Sequence, residues 1–142
     1  MNILIVEDED LAVEGLTLQL RRHNPAFKVV AAVDSVKTAV KWLTNNPFPD
    51  VAFFDIQLAD GLSFEVFEQV KITFPVVFTT AYDAYALRAF QVNSVDYLLK
   101  PVAPEDLKRA FDKLQLLTGG PAPAVNTGLD IEMIRQMLTR ST

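Results

Sequence analysis

The sequence predicts a doubly wound α/β fold, a parallel sheet with helices on both faces. Five short β-rich runs recur, at residues 3–6, 29–33, 51–54, 76–78 and 95–99. They are mostly continuous apolar runs, not alternations, as strands buried on both faces of a parallel sheet require. The segments between them are long enough for crossover helices. The order βαβαβαβαβα, with right-handed crossovers, follows.

Each element has its own signal. After the first run, Leu11, Gly15, Leu18 and Arg22 fall at spacings near 3.6, and Val13, Leu16 and Leu20 widen the stripe. Val36, Ala39, Val40 and Leu43 mark the second helix, behind Asp34 or Ser35 as cap. The stretch "GLSFEVFEQV" opens a third helix with Ser63 near its start. "DAYALRAFQV" gives a short fourth, and "PEDLKRAFDKLQLL" a fifth, with Pro104 and acids at its beginning. The expected domain covers residues 1–118. "TGGPAPAVNTG" then reads as a linker, assigned to residues 119–128. Residues 129–142 hold an amphipathic helix, with Ile131, Ile134 and Leu138 on one face, or the start of an output region. A helix this short is marginal without a packing partner.

Composition narrows the function classes. The chain has 142 residues, half of them hydrophobic, enough for one domain plus an appendage. No apolar run approaches the roughly 20 residues of a membrane span, and no signal-peptide pattern opens the chain, so a cytoplasmic location is expected. The absence of cysteine removes disulfides and Cys-based metal sites. A net charge of −5 implies no nucleic-acid surface; any cationic face is local.

Four acids in a row, Glu7 to Asp10, follow the first apolar run. Alone, they suit the acidic first turn of a helix. Ligands in open parallel sheets, however, bind at the carboxyl ends of the strands. Glu7 and Asp8 follow the first strand, Asp55 the third, Thr80 the fourth and Lys100 the fifth, so the fold delivers them to one edge. Each has a plainer reading: Asp55 as a turn acid, Lys100 as a solvated loop lysine, Thr80 in competition with Thr79. His23 reads as a helix-end residue without chemistry.

Three converging carboxylates repel, each close pair costing up to about 4 kcal/mol at an effective dielectric near 20. A divalent cation offsets this, and an all-oxygen set suits Mg²⁺. Lys100 and Thr80 then hold phosphoryl oxygens while Asp55 acts as nucleophile.

The sequence over roughly residues 1–118 resembles a response-regulator receiver domain of two-component signalling. The resemblance rests on "ILIVEDE", "FFDIQLADG", "FTTAY" and "DYLLKP", in that order and each at a strand end. The longer phrase "TTAYDAYALRAFQVNSVDYLLKPV" resembles receivers attached to LytTR-type DNA-binding domains. It implies a five-stranded sheet in the flavodoxin-like order 2-1-3-4-5. By the same resemblance Asp55 is phosphorylated by a sensor histidine kinase. Glu7, Asp8 and Asp55 bind Mg²⁺ with the backbone carbonyl of Gln57. Thr80 and Lys100 bind and sense the phosphoryl group, and Tyr97 is the aromatic that turns inward. Ala59 stands where proline is common, which loosens the loop after Asp55.

The output face is expected on the fourth helix, fifth strand and fifth helix, with Arg88, Phe90, Asp96 and Arg109 at its surface. A homodimer formed on phosphorylation would match Asp96 with a cation. Gln57 and Tyr82 flank the path of a hydrolytic water, with Tyr82 shielding. DNA is contacted only through an output domain missing from this chain, and membranes not at all. The protein is thus read as a signalling switch, not an enzyme, although it catalyses its own phosphorylation from donors and its own dephosphorylation. Two rivals fit less well. A haloacid-dehalogenase-like phosphatase wants a second Asp where Gln57 stands, and "EDED" repels the phosphate of a flavodoxin-like carrier. An interaction module without phosphorylation is the third reading.

Overall fold

Both faces of the sheet are apolar, as the unbroken runs require, and each gathers its own helices. The computed structural model describes residues 1–81 and 94–118. Its elements are β1 (Asn2–Val6), α1 (Asp10–His23), β2 (Lys28–Val33), α2 (Val36–Asn45), β3 (Val51–Asp55), β4 (Gln57–Leu58), β5 (Gly61–Leu62), α3 (Phe64–Gln69), β6 (Val76–Thr80), β7 (Ser94–Leu99) and α4 (Pro104–Thr118). Five strands form a parallel sheet in the order β2-β1-β3-β6-β7, the expected 2-1-3-4-5 arrangement. The expected fourth helix lies outside the described residues, so α4 is the fifth helix of the sequence reading. The expected linker and terminal helix also lie outside them.

Side chains alternate across each strand and divide the core in two. Leu4, Val6, Ala52, Phe54, Val76 and Phe78 pack with α2 and α3. Ile3, Ile5, Val51, Phe53 and Val77 pack on the other face with α1 and α4. Full burial of such side chains stabilises by about 1.5–3 kcal/mol each. The alternation slips once in β7, where Val76 pairs with Ser94 but Val77 with Asp96. The extra residue, Val95, is a bulge. Val95, Asp96 and Leu98 consequently serve the α4 side, while Tyr97 packs against the α2–α3 core.

One helix departs from expectation. In α1 the buried stripe is Leu16 and Leu20 with Val13 beside it, whereas Leu11 and Leu18 are 81% and 51% exposed. The third helix begins at Phe64, with Ser63 at its start as expected. Gly61 has φ +146°, a conformation open mainly to glycine. Leu62 N–H donates to the Glu65 carboxylate at 2.9 Å, so these two residues belong to a tight β4–β5 hairpin. Ser63 holds the position before α3, but its hydroxyl makes no cap bond.

The start of α2 is closed completely. Thr38 N–H donates to the Ser35 hydroxyl, and Ser35 N–H to the Thr38 hydroxyl, each at 3.0 Å. Val36 and Lys37 N–H donate to the two carboxylate oxygens of Asp60, at 2.8 and 3.1 Å. Asp60 is thus a cap supplied from 24 residues away. The bond from Val36, followed by that from Lys37, holds its carboxyl below the usual aspartate range despite some desolvation. The stabilisation is therefore whole above the unfolded value of about 3.9 and is lost as pH falls through the lower folded value. Asp60→Ala should lower Tm most near neutral pH, with the gap to the parent closing below about pH 4. Thermal melts across that range test the assignment, and a gap independent of pH would contradict it.

Candidate functional site

Strand ends bring the predicted residues to one edge. Glu7 N–H donates to Val33 O at 2.8 Å, continuing the β1–β2 ladder one residue past β1. Asp55 is the last residue of β3 and pairs with Thr79. Thr80 ends β6, and Lys100 N–H donates to its carbonyl at 2.7 Å. Asp55 and Thr80 therefore lie within their strands, one and two residues beyond the predicted ends. The Lys100–Pro101 peptide is cis.

The Lys100 ammonium donates to Glu7 Oε1 and, at 3.1 Å, to Asp55 Oδ2. Ligand oxygens of Glu7, Asp8 and Asp55 all lie within 4.8 Å of one another. Glu7 and Asp55 are buried, while Asp8 is exposed at the mouth. Burial pushes the Glu7 carboxyl up; Lys100 pulls it down, and Asp55 adds to the rise. Asp8 is also raised, by burial first and then by Glu7. Burial alone would lower Lys100, but bonds and charge from Glu7 and Asp55 hold its ammonium above the ordinary lysine value. Both partners of the Lys100–Glu7 pair rise, Glu7 because burial and Asp55 outweigh the pull of Lys100, and Lys100 because two carboxylates outweigh its burial.

Three carboxylates against one ammonium leave a formal charge of minus two, which a divalent cation cancels. The donor set is all oxygen, with no His or Cys, and it faces an open cavity. These residues fit Mg²⁺. The cavity is about 340 Å³ and is lined by Asp8, Asp55, Gln57, Thr80 and Lys100 among others. Thr80 shares it with Asp55, whereas Thr79 lines a separate groove of about 400 Å³ beside α1. Thr80 therefore shares a cavity with Asp8 and Asp55, while Thr79 shares its groove with Glu7, and Lys100 lines both.

The other predicted residues divide. Tyr97 is half-buried against the α2–α3 core. Asp96 is buried instead of lying at the surface, because the Val95 bulge turns it toward α4. It already has cations of its own chain, Arg109 Nε at 3.1 Å and Lys113 Nζ at 3.3 Å. The Asp96 bond, opposed by burial, holds the Arg109 guanidinium above its usual range. Arg88, Phe90 and Tyr82 lie outside the described residues. Sequence reasoning missed Asp60, although "ADG" after Asp55 carries an Asp-Gly turn signal.

Comparison with known proteins agrees with this geometry. The response regulator receiver domain family matches residues 3–112. The sensory transduction protein LytT of Enterococcus faecalis is 40% identical over 126 residues, 87% of this chain and 51% of that protein. The transcriptional regulatory protein LytR of Staphylococcus aureus is 32% identical over 118 residues, 81% of this chain and 47% of that one. The chain thus spans about half the length of the curated relatives it matches. The crystal structure of the response regulatory domain of protein mrkE from Klebsiella pneumoniae superposes with a TM-score of 0.69 at 31% identity, covering 81% of this chain and 95% of that one. With a five-stranded parallel sheet and an acidic edge closed by a lysine, the chain belongs to the response regulator receiver domain family.

Proposed function

We propose that the chain is a phosphorylation-operated switch with Asp55 as phosphoacceptor. The carrying observation is the Lys100 ammonium held between Asp55 and Glu7, with Asp8 alongside and Thr80 on the same cavity. Response regulators are phosphorylated by histidine kinases, and here an Asp55 oxygen attacks the phosphorus of a phosphohistidine. The new P–O bond forms as the P–N bond breaks, and the imidazole leaves with the electron pair and takes up a proton. Glu7, Asp8, Asp55 and the Gln57 carbonyl would hold Mg²⁺, which would supply charge neutralisation for the phosphoryl oxygens. Lys100 passes from the Asp55 carboxylate to a phosphoryl oxygen, and the Thr80 hydroxyl donates to another. Water later attacks the phosphorus, the P–O bond to Asp55 breaks, and inorganic phosphate leaves, with Gln57 beside its path. Either small phosphodonors or the kinase serve the first step.

The output follows from Thr80 drawing Tyr97 inward and changing the face around β7 and α4. In a symmetric pair, Arg109, whose side chain is 47% exposed, would exchange its bond to Asp96 or Asp106 of its own chain for one to the second copy. Residues 1–118 act as the receiver, 119–128 as linker, and 129–142 as an amphipathic helix or the start of an output region, and contact with DNA belongs to an output domain outside this chain. The location is cytoplasmic; among the described residues no helix is long and apolar enough to cross a membrane.

Acetyl phosphate with Mg²⁺ should add one phosphoryl group, seen by intact mass, and Asp55→Asn should abolish it; unchanged labelling would move the acceptor to a neighbouring acid. Calorimetric titration should show Mg²⁺ binding that Asp8→Ala weakens by at least about tenfold, and equal affinity would remove Asp8 from the ligand set. Sedimentation with and without a beryllofluoride phosphate mimic should show a monomer–dimer shift. A monomer under both conditions at high concentration would exclude dimerisation as the output.

A further inference from the structure

The hairpin after Asp55 is short, exposed at its tip and yet fixed at several points. Its base is closed by Ser63 N–H donating to Ile56 O at 2.8 Å. Leu58 is buried in the α2–α3 core, and Glu65 accepts from Leu62 N–H. The tip is Ala59-Asp60, between the paired Leu58 and Gly61. Nothing in the hairpin itself needs a carboxylate at the tip. That carboxylate instead reaches the first two free N–H groups of α2.

The other end of this contact leads back to the site. The chain entering α2 leaves β2 at Val33, whose carbonyl accepts from Glu7 N–H. Asp60 therefore joins the segment after β3 to the segment between β2 and α2. One carries Asp55 and Gln57, and the other, through Val33, sets the backbone of Glu7. A cap taken from Ser35 alone would stabilise α2 without linking them.

We propose that Asp60 is a positioning residue of the metal site, tying the β4–β5 hairpin to α2 so that the Gln57 carbonyl stays beside Asp55. The inference rests on the reading of Gln57, Glu7, Asp8 and Asp55 as the Mg²⁺ ligands. Charge plays no direct part, because the Asp60 carboxylate is spent on backbone N–H groups outside the cavity. Its removal frees the hairpin tip, and the ligand set must be ordered when the ion binds instead of beforehand.

Ser35→Ala is the matched control, since it strips one cap bond from the same helix turn and leaves the hairpin untouched. Mg²⁺ titration calorimetry, thermal melts and amide exchange at Ser63 are measured on the parent, Asp60→Ala, Asp60→Asn and Ser35→Ala. The expected result is about a tenfold weaker Mg²⁺ dissociation constant in Asp60→Ala, the lower end of what loss of a supporting group costs a metal site. Faster exchange at Ser63 without metal should accompany it, with partial recovery of both in Asp60→Asn. Ser35→Ala should lose Tm but keep its affinity within about twofold. Parental affinity in Asp60→Ala, or equal losses in Asp60→Ala and Ser35→Ala, overturns the tether. Absence of Mg²⁺ binding by the parent overturns the ligand reading and the tether with it.

Discussion

The structure is organised around a repulsion. Glu7, Asp8 and Asp55 are held within a few ångströms of one another at the end of a sheet that packs apolar clusters on both faces. At this separation each carboxylate pair opposes the fold by up to about 4 kcal/mol. Lys100 answers two of them from a backbone fixed to Thr80. The compensation is incomplete, and the remaining negative charge suits the edge to a divalent cation. A neutral edge would be more stable and would have nothing to bind.

Because the charges cannot stabilise their own positions, the surrounding backbone must. Strand ladders set Glu7, Asp55 and Thr80, each at or just past the last paired residue. The hairpin carrying Gln57 lacks such a ladder, having two paired positions only. Its fixation comes from side chains borrowed across sequence: Leu58 in the core, Glu65 on Leu62, and Asp60 on α2. Gly61 completes the turn, since a Cβ there would meet the Glu65 carboxylate at 2.2 Å as well as strain the backbone.

Periodicity reached most of the fold and the heart of the site. Continuous apolar runs identify strands because a parallel sheet buries both faces, and strand ends then locate Glu7, Asp8, Asp55, Thr80 and Lys100 without any contact being known. What periodicity missed has specific causes. In α1, six apolar side chains and a glycine surround the helix, so spacing alone does not select the buried face; docking on the sheet selects Leu16 and Leu20 over Leu11 and Leu18. Asp96 lies next to a bulge, and one inserted residue reverses which face each side chain takes. Asp60 caps a helix 24 residues earlier in the chain, whereas cap signals are read from neighbouring residues.

The strand β7 concentrates these constraints. Asp96 holds it to α4 through Arg109 and Lys113, Tyr97 faces the opposite core, and Lys100 just beyond its end meets the carboxylates. Its neighbour β6 ends at Thr80, bonded through the backbone to Lys100, so the hydroxyl and the ammonium share one rigid support. An event that recruits both groups must act on that shared support, and the same strand carries side chains to both faces of the sheet. The end of the sheet is thereby joined through one strand to α4 and to the Tyr97 side. The bulge at Val95 matters here because it gives adjacent residues of one strand opposite partners.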